Sequence, residues 1–169
     1  MRLLVAKSQI AGIMPQNRSR DAMQSLKPIF DWPPVWTLAE IGLIFGLDAV
    51  WSLQNRPWVG GALILAGLGL MLAAAAQMMR ARTTINPRGR PSALVTGGVF
   101  RLSRNPIYLG DALLLLGTTV LLGAPLGLAV VVGFVAIITR RFIRPEEQGL
   151  QARFPQEFAH WSGRVRRWL

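Results

Sequence analysis

The chain has 169 residues, of which 51% are hydrophobic and only 16% are charged, and its mean hydropathy is +0.36. An average soluble domain carries about 25% charged residues, so this composition is typical of a small integral membrane protein. The chain has no cysteine and a single histidine, His160. These counts exclude a disulfide scaffold, a thiolate zinc site, a cysteine nucleophile and, within one chain, a multi-histidine metal site.

The first 31 residues mix basic, polar and apolar side chains, and Pro15 and Pro28 interrupt them. Their apolar run at residues 3–6 is too short for the hydrophobic region of a secretory signal. We therefore predict an amphipathic or partly disordered leader at residues 1–31, lying on the membrane surface. A single transmembrane domain is expected to occupy residues 32–169.

Four apolar stretches follow the leader, at residues 33–53, 58–79, 107–122 and 125–142. A hydrocarbon core of about 30 Å is crossed by roughly 20 helical residues, or about 17 at least. The sequence Gly-Ala-Pro at 123–125 predicts a tight turn, so the last two stretches form an antiparallel hairpin. We predict an all-α integral membrane protein with four transmembrane helices and a C-terminal cytoplasmic helical tail.

The net charge is +11, and 18 of the 19 Lys and Arg residues lie on one predicted side of the membrane. They occupy the leader, the loop between the second and third spans, and the tail that begins at the end of the fourth span. The positive-inside rule therefore makes both termini and the long loop cytoplasmic. Basic residues bunched between apolar spans favour contact with anionic lipid and argue against nucleic-acid binding.

Two carboxylates, Glu40 and Asp48, lie in the first predicted span. Charged groups are costly in lipid, so both should face the helix bundle or water. A proton or ligand site is one reading. We favour a helix-packing hydrogen bond, or for Asp48 a place near the interface.

Two predicted cytoplasmic clusters contain most of the candidate binding and catalytic residues. The first, at 96–110, ends a glycine-rich loop and opens the third span, where Pro106 suits a first helical turn and Asn105 is expected to cap it. Free N–H groups of that turn are able to hold an anionic ligand group. The second cluster contains Glu146 and Glu147, followed by the arginine-rich segment at 164–167.

The spacing of the clusters predicts that they meet. Residues 107–142 provide two antiparallel helical crossings plus a turn, so the chain returns close to its starting point. Arg104 and Tyr108 should then face Glu146 and Glu147 across one cytoplasmic pocket. Two simpler readings stay open, in which Arg104 anchors a lipid phosphate and the two glutamates are first-turn acids of a tail helix.

These motifs resemble those of a known family. The segment Arg-Asn-Pro-Ile-Tyr-Leu-Gly at 104–110, the apolar hairpin, and then Glu146, Glu147 and Leu150 are similar to the signature of isoprenylcysteine carboxyl methyltransferases. The wider group of membrane methyltransferases, which includes phospholipid methyltransferases, shares this signature. The loop sequences at 83–87 and 94–98 resemble those of bacterial members, and this likeness implies a bacterial inner membrane. The resemblance covers about residues 60–169.

The resemblance implies that S-adenosylmethionine (SAM) is the methyl donor, bound on the cytoplasmic side. By position, the cofactor would be bound by Arg104, Asn105, Tyr108, Gly110, Glu146 and Glu147. Arg166 or Arg167 would orient the methyl acceptor. No metal is implied.

The chain departs from the family pattern at four positions in these regions. Asn105 stands where many members have histidine, and Pro155 stands where glycine is usual. Phe158 and Trp161 replace common tyrosines. These departures concern the identity of the acceptor rather than the fold.

The residue inventory favours a carboxylate acceptor, such as that of an isoprenylcysteine-type lipid. A carboxylic acid with a pKa near 4 is already ionised at neutral pH, so its methylation needs alignment and a cation rather than a base. An ammonium acceptor would need a base, for which His160 is the one conventional choice and Glu147 a second. The alternatives are a phospholipid or other lipid-amine N-methyltransferase, a sterol-type membrane reductase and a non-catalytic membrane scaffold.

Overall fold

The structure is a computed structural model that describes residues 32–50, 53–86, 89 and 91–169. All regular secondary structure within these ranges is helical, which confirms the predicted all-α class. The leader predicted at residues 1–31 lies outside the described residues. The helices are α1 (Pro33–Asp48), α2 (Pro57–Arg80), a short 3-10 helix (Gly98–Arg101), α3 (Pro106–Leu122), α4 (Gly127–Ile138), α5 (Arg144–Arg153) and α6 (Pro155–Ser162).

The chain divides into two units between Val35 and Trp36. Of the first unit, the structure describes residues 32–35, in which the Val35 N–H donates to the Trp32 carbonyl at 3.0 Å. The second unit, Trp36–Leu169, holds every residue discussed below.

The second and third predicted spans match α2 and α3 to within one residue at each end. With 24 residues, α2 is long and apolar enough to cross a bilayer, and within the described ranges it is the one helix that meets that criterion. The 17-residue helix α3 is a shorter apolar helix. In the first predicted span the helix ends at Asp48, and in the fourth α4 begins at Gly127. The four-span topology and the cytoplasmic termini stay predictions.

Glycines determine how closely α2 and α3 pack. A Cβ atom added to Gly67 would lie 2.6 Å from the Gly110 carbonyl oxygen, and one added to Gly60 would lie 2.7 Å from the Gly117 carbonyl oxygen. Real Cβ atoms do not approach so closely, so the two helices meet backbone to backbone, as small residues allow in membrane helices. A Cβ on Gly69 would meet nothing within 4 Å.

The turn between α3 and α4 confirms the predicted hairpin. Gly123 ends α3 with φ of 73°, a left-handed conformation that glycine adopts without a Cβ penalty. The Ala124 N–H donates to the Thr119 carbonyl at 3.0 Å, and the Leu53 N–H donates to the Gly123 carbonyl at 2.7 Å. The chain therefore reverses within a few residues.

A π-helical segment, Thr139–Ile143, joins α4 to α5 without a break in the helix. The Arg144 N–H donates to the Thr139 carbonyl, five residues earlier. Single π turns of this kind occur often at functional sites. Glu146 and Glu147 lie in the first turn of α5, as the simpler interpretation expects, although the helix continues through the π segment before them.

Two apolar clusters stabilise the second unit. The first joins α1, α3, α4 and the π segment, and the second joins α2, the 3-10 helix and α6. The buried members of the first are Ile44, Tyr108, Leu115, Ala124, Phe134, Ile138, Phe142 and Ile143. Those of the second are Ala74, Phe100, Phe158 and Trp161.

A polar contact links α1 to α3. Asp111 on α3 is only 3% exposed and is hydrogen-bonded to Thr37 on α1. Among the described residues, the Glu40 Oε2 and Asp48 Oδ1 atoms are buried and lack a hydrogen-bond partner. The packing hydrogen bond between α1 and α3 is therefore made by Thr37 and Asp111, and not by Glu40 or Asp48 as expected.

Candidate functional site

Tyr108, in the first turn of α3, forms a hydrogen-bonded pair with Glu146, in the first turn of α5. The Tyr108 hydroxyl donates to Glu146 Oε1 at 2.5 Å, and its ring lies 6.4 Å from that of Phe142, centroid to centroid. Burial raises the pKa of Glu146 to about 7, from an ordinary value of 4.5. The Tyr108 hydrogen bond lowers this pKa, and the negative charge of Glu147 raises it. Glu146 therefore titrates close to neutral pH.

The neighbouring Glu147 is held by two arginines. Arg167 donates from Nε to both carboxylate oxygens at 3.1 and 3.2 Å, and from Nη2 to Oε2 at 2.6 Å. Arg104 Nη2 lies 3.2 Å from Glu147 Oε1 on the other side. The hydrogen bonds to Glu147 raise the pKa of Arg167, so its guanidinium stays charged. Two cations on one carboxylate leave a surplus positive charge here.

Arg104 is the more deeply placed of the two arginines. Its side chain is 13% exposed, whereas that of Arg167 is 35% exposed. The Arg104 Nε atom is buried and has no hydrogen-bond partner among the described residues. Its guanidinium carbon lies 5.9 Å from the centre of the Phe158 ring, close enough for a cation–π interaction.

These contacts confirm that Arg104 and Tyr108 face Glu146 and Glu147, as the length of the hairpin predicted. We call the four residues, together with Arg167, the polar site. They come from the loop before α3, the first turn of α3, the beginning of α5 and the end of the chain. The roles assigned to them by resemblance, and the cytoplasmic location of the site, stay predictions.

Asn105 occupies the N-cap position of α3 but makes no side-chain capping bond, so the expected cap is wrong. Its amide nitrogen instead donates to the Arg167 carbonyl at 3.0 Å, and the residue is 9% exposed. The Asn105 amide therefore bonds to a distant segment of the chain rather than to the first turn of α3. A role of Asn105 in binding the cofactor stays a prediction.

Two further predicted site residues lie outside the polar site. Gly110 faces α2, where an added Cβ would lie 2.7 Å from the Gly67 carbonyl oxygen. The side chain of Arg166 is exposed, although its backbone carbonyl accepts a hydrogen bond from the Arg104 N–H at 3.0 Å. Of the two arginines proposed to orient the acceptor, Arg167 is therefore the one that enters the site.

Three residues near the site were not anticipated from the sequence. Ser103 is fully buried, and its hydroxyl donates to the Arg167 carbonyl at 3.2 Å while accepting from the Asn105 N–H at 3.1 Å. The Trp168 indole donates to Thr139 Oγ1 at 3.1 Å. The close pairing of Ser103 with Asn105 is a local turn pattern, but no sequence signal links either residue to the chain end.

The departures at Phe158 and Trp161 have a structural role. The Trp161 indole donates to the Phe100 carbonyl at 3.1 Å. The rings of Phe158 and Trp161 pack edge to face, with centroids 6.0 Å apart. Both side chains are buried and attach α6 to the 3-10 helix. By contrast, His160 and Pro155 of the same helix are exposed.

Comparison with protein families gives a match to the phospholipid methyltransferase model over residues 55–157, more than half of the chain. This range contains Arg104, Tyr108, Glu146 and Glu147. No curated protein and no solved structure matches the sequence significantly. The matched range covers α2 to α5 and most of the polar site, and the chain therefore belongs to the phospholipid methyltransferase family, whose members are membrane methyltransferases.

Proposed function

We propose that the chain transfers a methyl group from SAM to a lipid-like acceptor, with the polar site as its catalytic centre. The observation that supports this most strongly is the meeting of Arg104, Tyr108, Glu146 and Glu147 within the family match. Four polar side chains converge beside apolar helices, and α2, which among the described residues is the helix long enough to cross a membrane, packs directly on α3. This arrangement suits a polar donor next to a lipidic acceptor.

The chemistry of the site fits the cofactor. SAM carries an ammonium, a carboxylate, a sulfonium and ribose hydroxyls, so it needs both acids and cations. Glu146 and Glu147 would accept hydrogen bonds from its ammonium or hydroxyl groups. Arg104, whose buried Nε has no partner in the described part of the chain, would donate to its carboxylate. SAM bound there would supply an electrophilic methyl group.

A carboxylate acceptor of the isoprenylcysteine type is our first candidate substrate. Such an acid is ionised at neutral pH, so the enzyme would need no general base. Arg167, charged and about one-third exposed, would position the acceptor oxygens and exclude unproductive orientations. The exposed Arg166 beside it would take this role only after a rearrangement.

An amine acceptor, such as the head group of an ethanolamine phospholipid, is the second candidate. The specific observation that favours it is the near-neutral pKa of Glu146, about 7. A carboxylate with that pKa would accept the proton that an ammonium must lose before methylation. The matched family, that of the phospholipid methyltransferases, is also named for phospholipid substrates.

Equilibrium binding of SAM to the detergent-purified protein tests the proposal, with NADPH measured in parallel. Glu146→Ala and Tyr108→Phe should weaken SAM binding, the second by about three- to tenfold for one lost hydrogen bond. Glu157→Ala, an exposed acid on α6, is the matched control and should bind normally. Equal affinity in all four proteins would move the site elsewhere. Binding of NADPH alone would indicate a reductase, and binding of neither ligand by folded protein would indicate a scaffold.

Turnover then separates the two acceptors. Methyl transfer from labelled SAM would be measured with a prenylated thioether carboxylate and with an ethanolamine phospholipid. For the carboxylate, kcat should be independent of pH above the pKa of the acid. For the amine, kcat should rise with pH and fall sharply in Glu146→Gln. Activity with neither lipid would exclude both acceptors.

A further inference from the structure

The last six residues, 164–169, lie across the polar site without forming a helix of their own. We call them the C-terminal strap. Only its first two residues bond back to α6, through N–H groups of Arg164 and Val165 that donate to the Trp161 carbonyl at 3.0 Å. The position of the rest depends on contacts with other parts of the chain.

Hydrogen bonds from the loop before α3 hold the strap on one side. The Arg104 N–H donates to the Arg166 carbonyl at 3.0 Å. The next carbonyl, that of Arg167, accepts two bonds, from Ser103 Oγ at 3.2 Å and from Asn105 Nδ2 at 3.0 Å. Ser103 and Asn105 are both buried, and the bonds that they make to the half-buried Arg167 are partly buried.

Trp168 holds the strap on the other side of Arg167. Its indole donates to Thr139 Oγ1 at 3.1 Å, and Thr139 in turn donates to the Val135 carbonyl at 2.6 Å. The indole also packs against the apolar cluster of α1, α3 and α4. The backbone of Arg167 is therefore fixed by the residues on either side of it and by its own carbonyl.

We propose that Ser103, Asn105 and Trp168 are positioning residues, which fix the C-terminal strap so that the Arg167 guanidinium lies on Glu147. This inference rests on the proposed function, because it explains how the group that orients the acceptor is held. Asn105 acts through Arg167 in this arrangement. The two donors to a single carbonyl fix the peptide from which that side chain projects.

A bidentate arginine–carboxylate pair needs this kind of support. Its geometry is specific, and a side chain that is one-third exposed otherwise loses much of the pair to solvent and to rotamer freedom. Fixing the backbone removes part of that entropy before the pair forms. Loss of the strap anchors should therefore affect the Arg167 side chain first.

A double-mutant cycle tests whether Asn105 acts through the Arg167 side chain. The Asn105 hydrogen bond reaches the Arg167 backbone, so it persists in Arg167→Ala. Asn105→Ala alone should lower kcat several-fold and change SAM affinity less than twofold, whereas the cofactor contact that the resemblance implies for Asn105 would weaken SAM binding. In the Arg167→Ala background, Asn105→Ala should have no further effect on kcat. Additive losses would overturn the positioning role, and Asn55→Ala, an exposed asparagine, is the matched control.

Limited trypsin digestion tests the strap without any assumption about activity. Cleavage after Arg166 and Arg167 would be followed by mass spectrometry and normalised to cleavage after the exposed Arg82. Asn105→Ala and Trp168→Phe, which keeps the ring but loses the donor, should each accelerate strap cleavage up to about tenfold. Unchanged cleavage in both variants would show that the Asn105 and Trp168 hydrogen bonds do not hold the C-terminal strap. If wild-type protein bound no SAM but these variants still released the strap, the proposed function would fail and the anchors would stand.

Discussion

The near-neutral titration of Glu146 predicts that cofactor binding depends on pH. SAM is a sulfonium cation, so the ionised form of Glu146 should bind it better than the neutral form. The pKa of this carboxyl is raised to about 7 by burial. About one-tenth of the protein is then ionised at this position at pH 6 and about nine-tenths at pH 8. SAM affinity should rise by about tenfold over this interval.

Equilibrium binding between about pH 5.5 and 8.5 measures this dependence. Glu146→Gln keeps an acceptor for the Tyr108 hydroxyl but cannot ionise, so its affinity should be low and should show only the titration of the ligand itself. Tyr108→Phe removes a hydrogen bond that lowers the pKa of Glu146, and its midpoint should move to higher pH. A wild-type profile identical to that of Glu146→Gln would refute the role of this carboxylate.

The same pKa shift has a consequence for stability. The folded state holds the Glu146 proton more tightly than the unfolded chain does, since the pKa rises from 4.5 to about 7 on folding. The stabilisation is complete below pH 4.5 and is lost as the pH rises through about 7, with an upper limit of about 3 kcal/mol. Glu146→Gln should therefore unfold at higher temperature than the wild type above neutral pH, whereas at pH 5 the two proteins should differ little. Equal thermal stability of the wild type and Glu146→Gln at pH 8 would contradict the claim that ionisation of the buried Glu146 destabilises the fold.

Two further predictions concern packing and turnover. Gly67→Ala places a Cβ 2.6 Å from the Gly110 carbonyl oxygen and should lower the free energy of unfolding by about 1–3 kcal/mol. Gly69→Ala, whose Cβ meets open space, should not lower the melting temperature, because alanine favours the helix over glycine. Equal effects in the two variants would refute the close helix contact. Arg167→Ala should lower kcat more than tenfold and SAM affinity by less than threefold, because a group that orients the acceptor acts after the cofactor binds. Arg166→Ala is the neighbouring control. Full activity of Arg167→Ala would exclude the proposed role of Arg167.

Much of the fold follows from one-dimensional patterns in the sequence. The boundaries of α2 and α3 are set by proline at the first helical turn and by arginine or glycine at the end, signals that act over a few residues. The meeting of Tyr108 with Glu146 follows from the lengths of two helices and a tight turn. These are properties of the chain between the two residues, so they can be read without knowing the packing.

The parts that were not anticipated depend on contacts between distant segments. Asn105 has the residue type and position of a helix cap, but the Arg167 carbonyl, 62 residues later, takes its donor. Trp168 lies after the last helix, α6, and no nearby sequence signal pairs its indole with Thr139. The hydrogen bond between Thr37 and Asp111 likewise joins two helices whose relative rotation the sequence does not specify.

The π-helical segment at Thr139–Ile143 sets the direction in which Glu146 and Glu147 point. Successive residues of an α-helix are rotated by about 100°, so removing one residue from this segment would turn the two carboxylates about a quarter of a circle away from Tyr108 and Arg104. The segment therefore sets the rotation of the charged part of the helix, which follows it, relative to the apolar part before it. The exposed apolar positions of α4 can therefore change while the two carboxylates keep their direction. An insertion or deletion within these five residues would instead turn both carboxylates without substituting either of them.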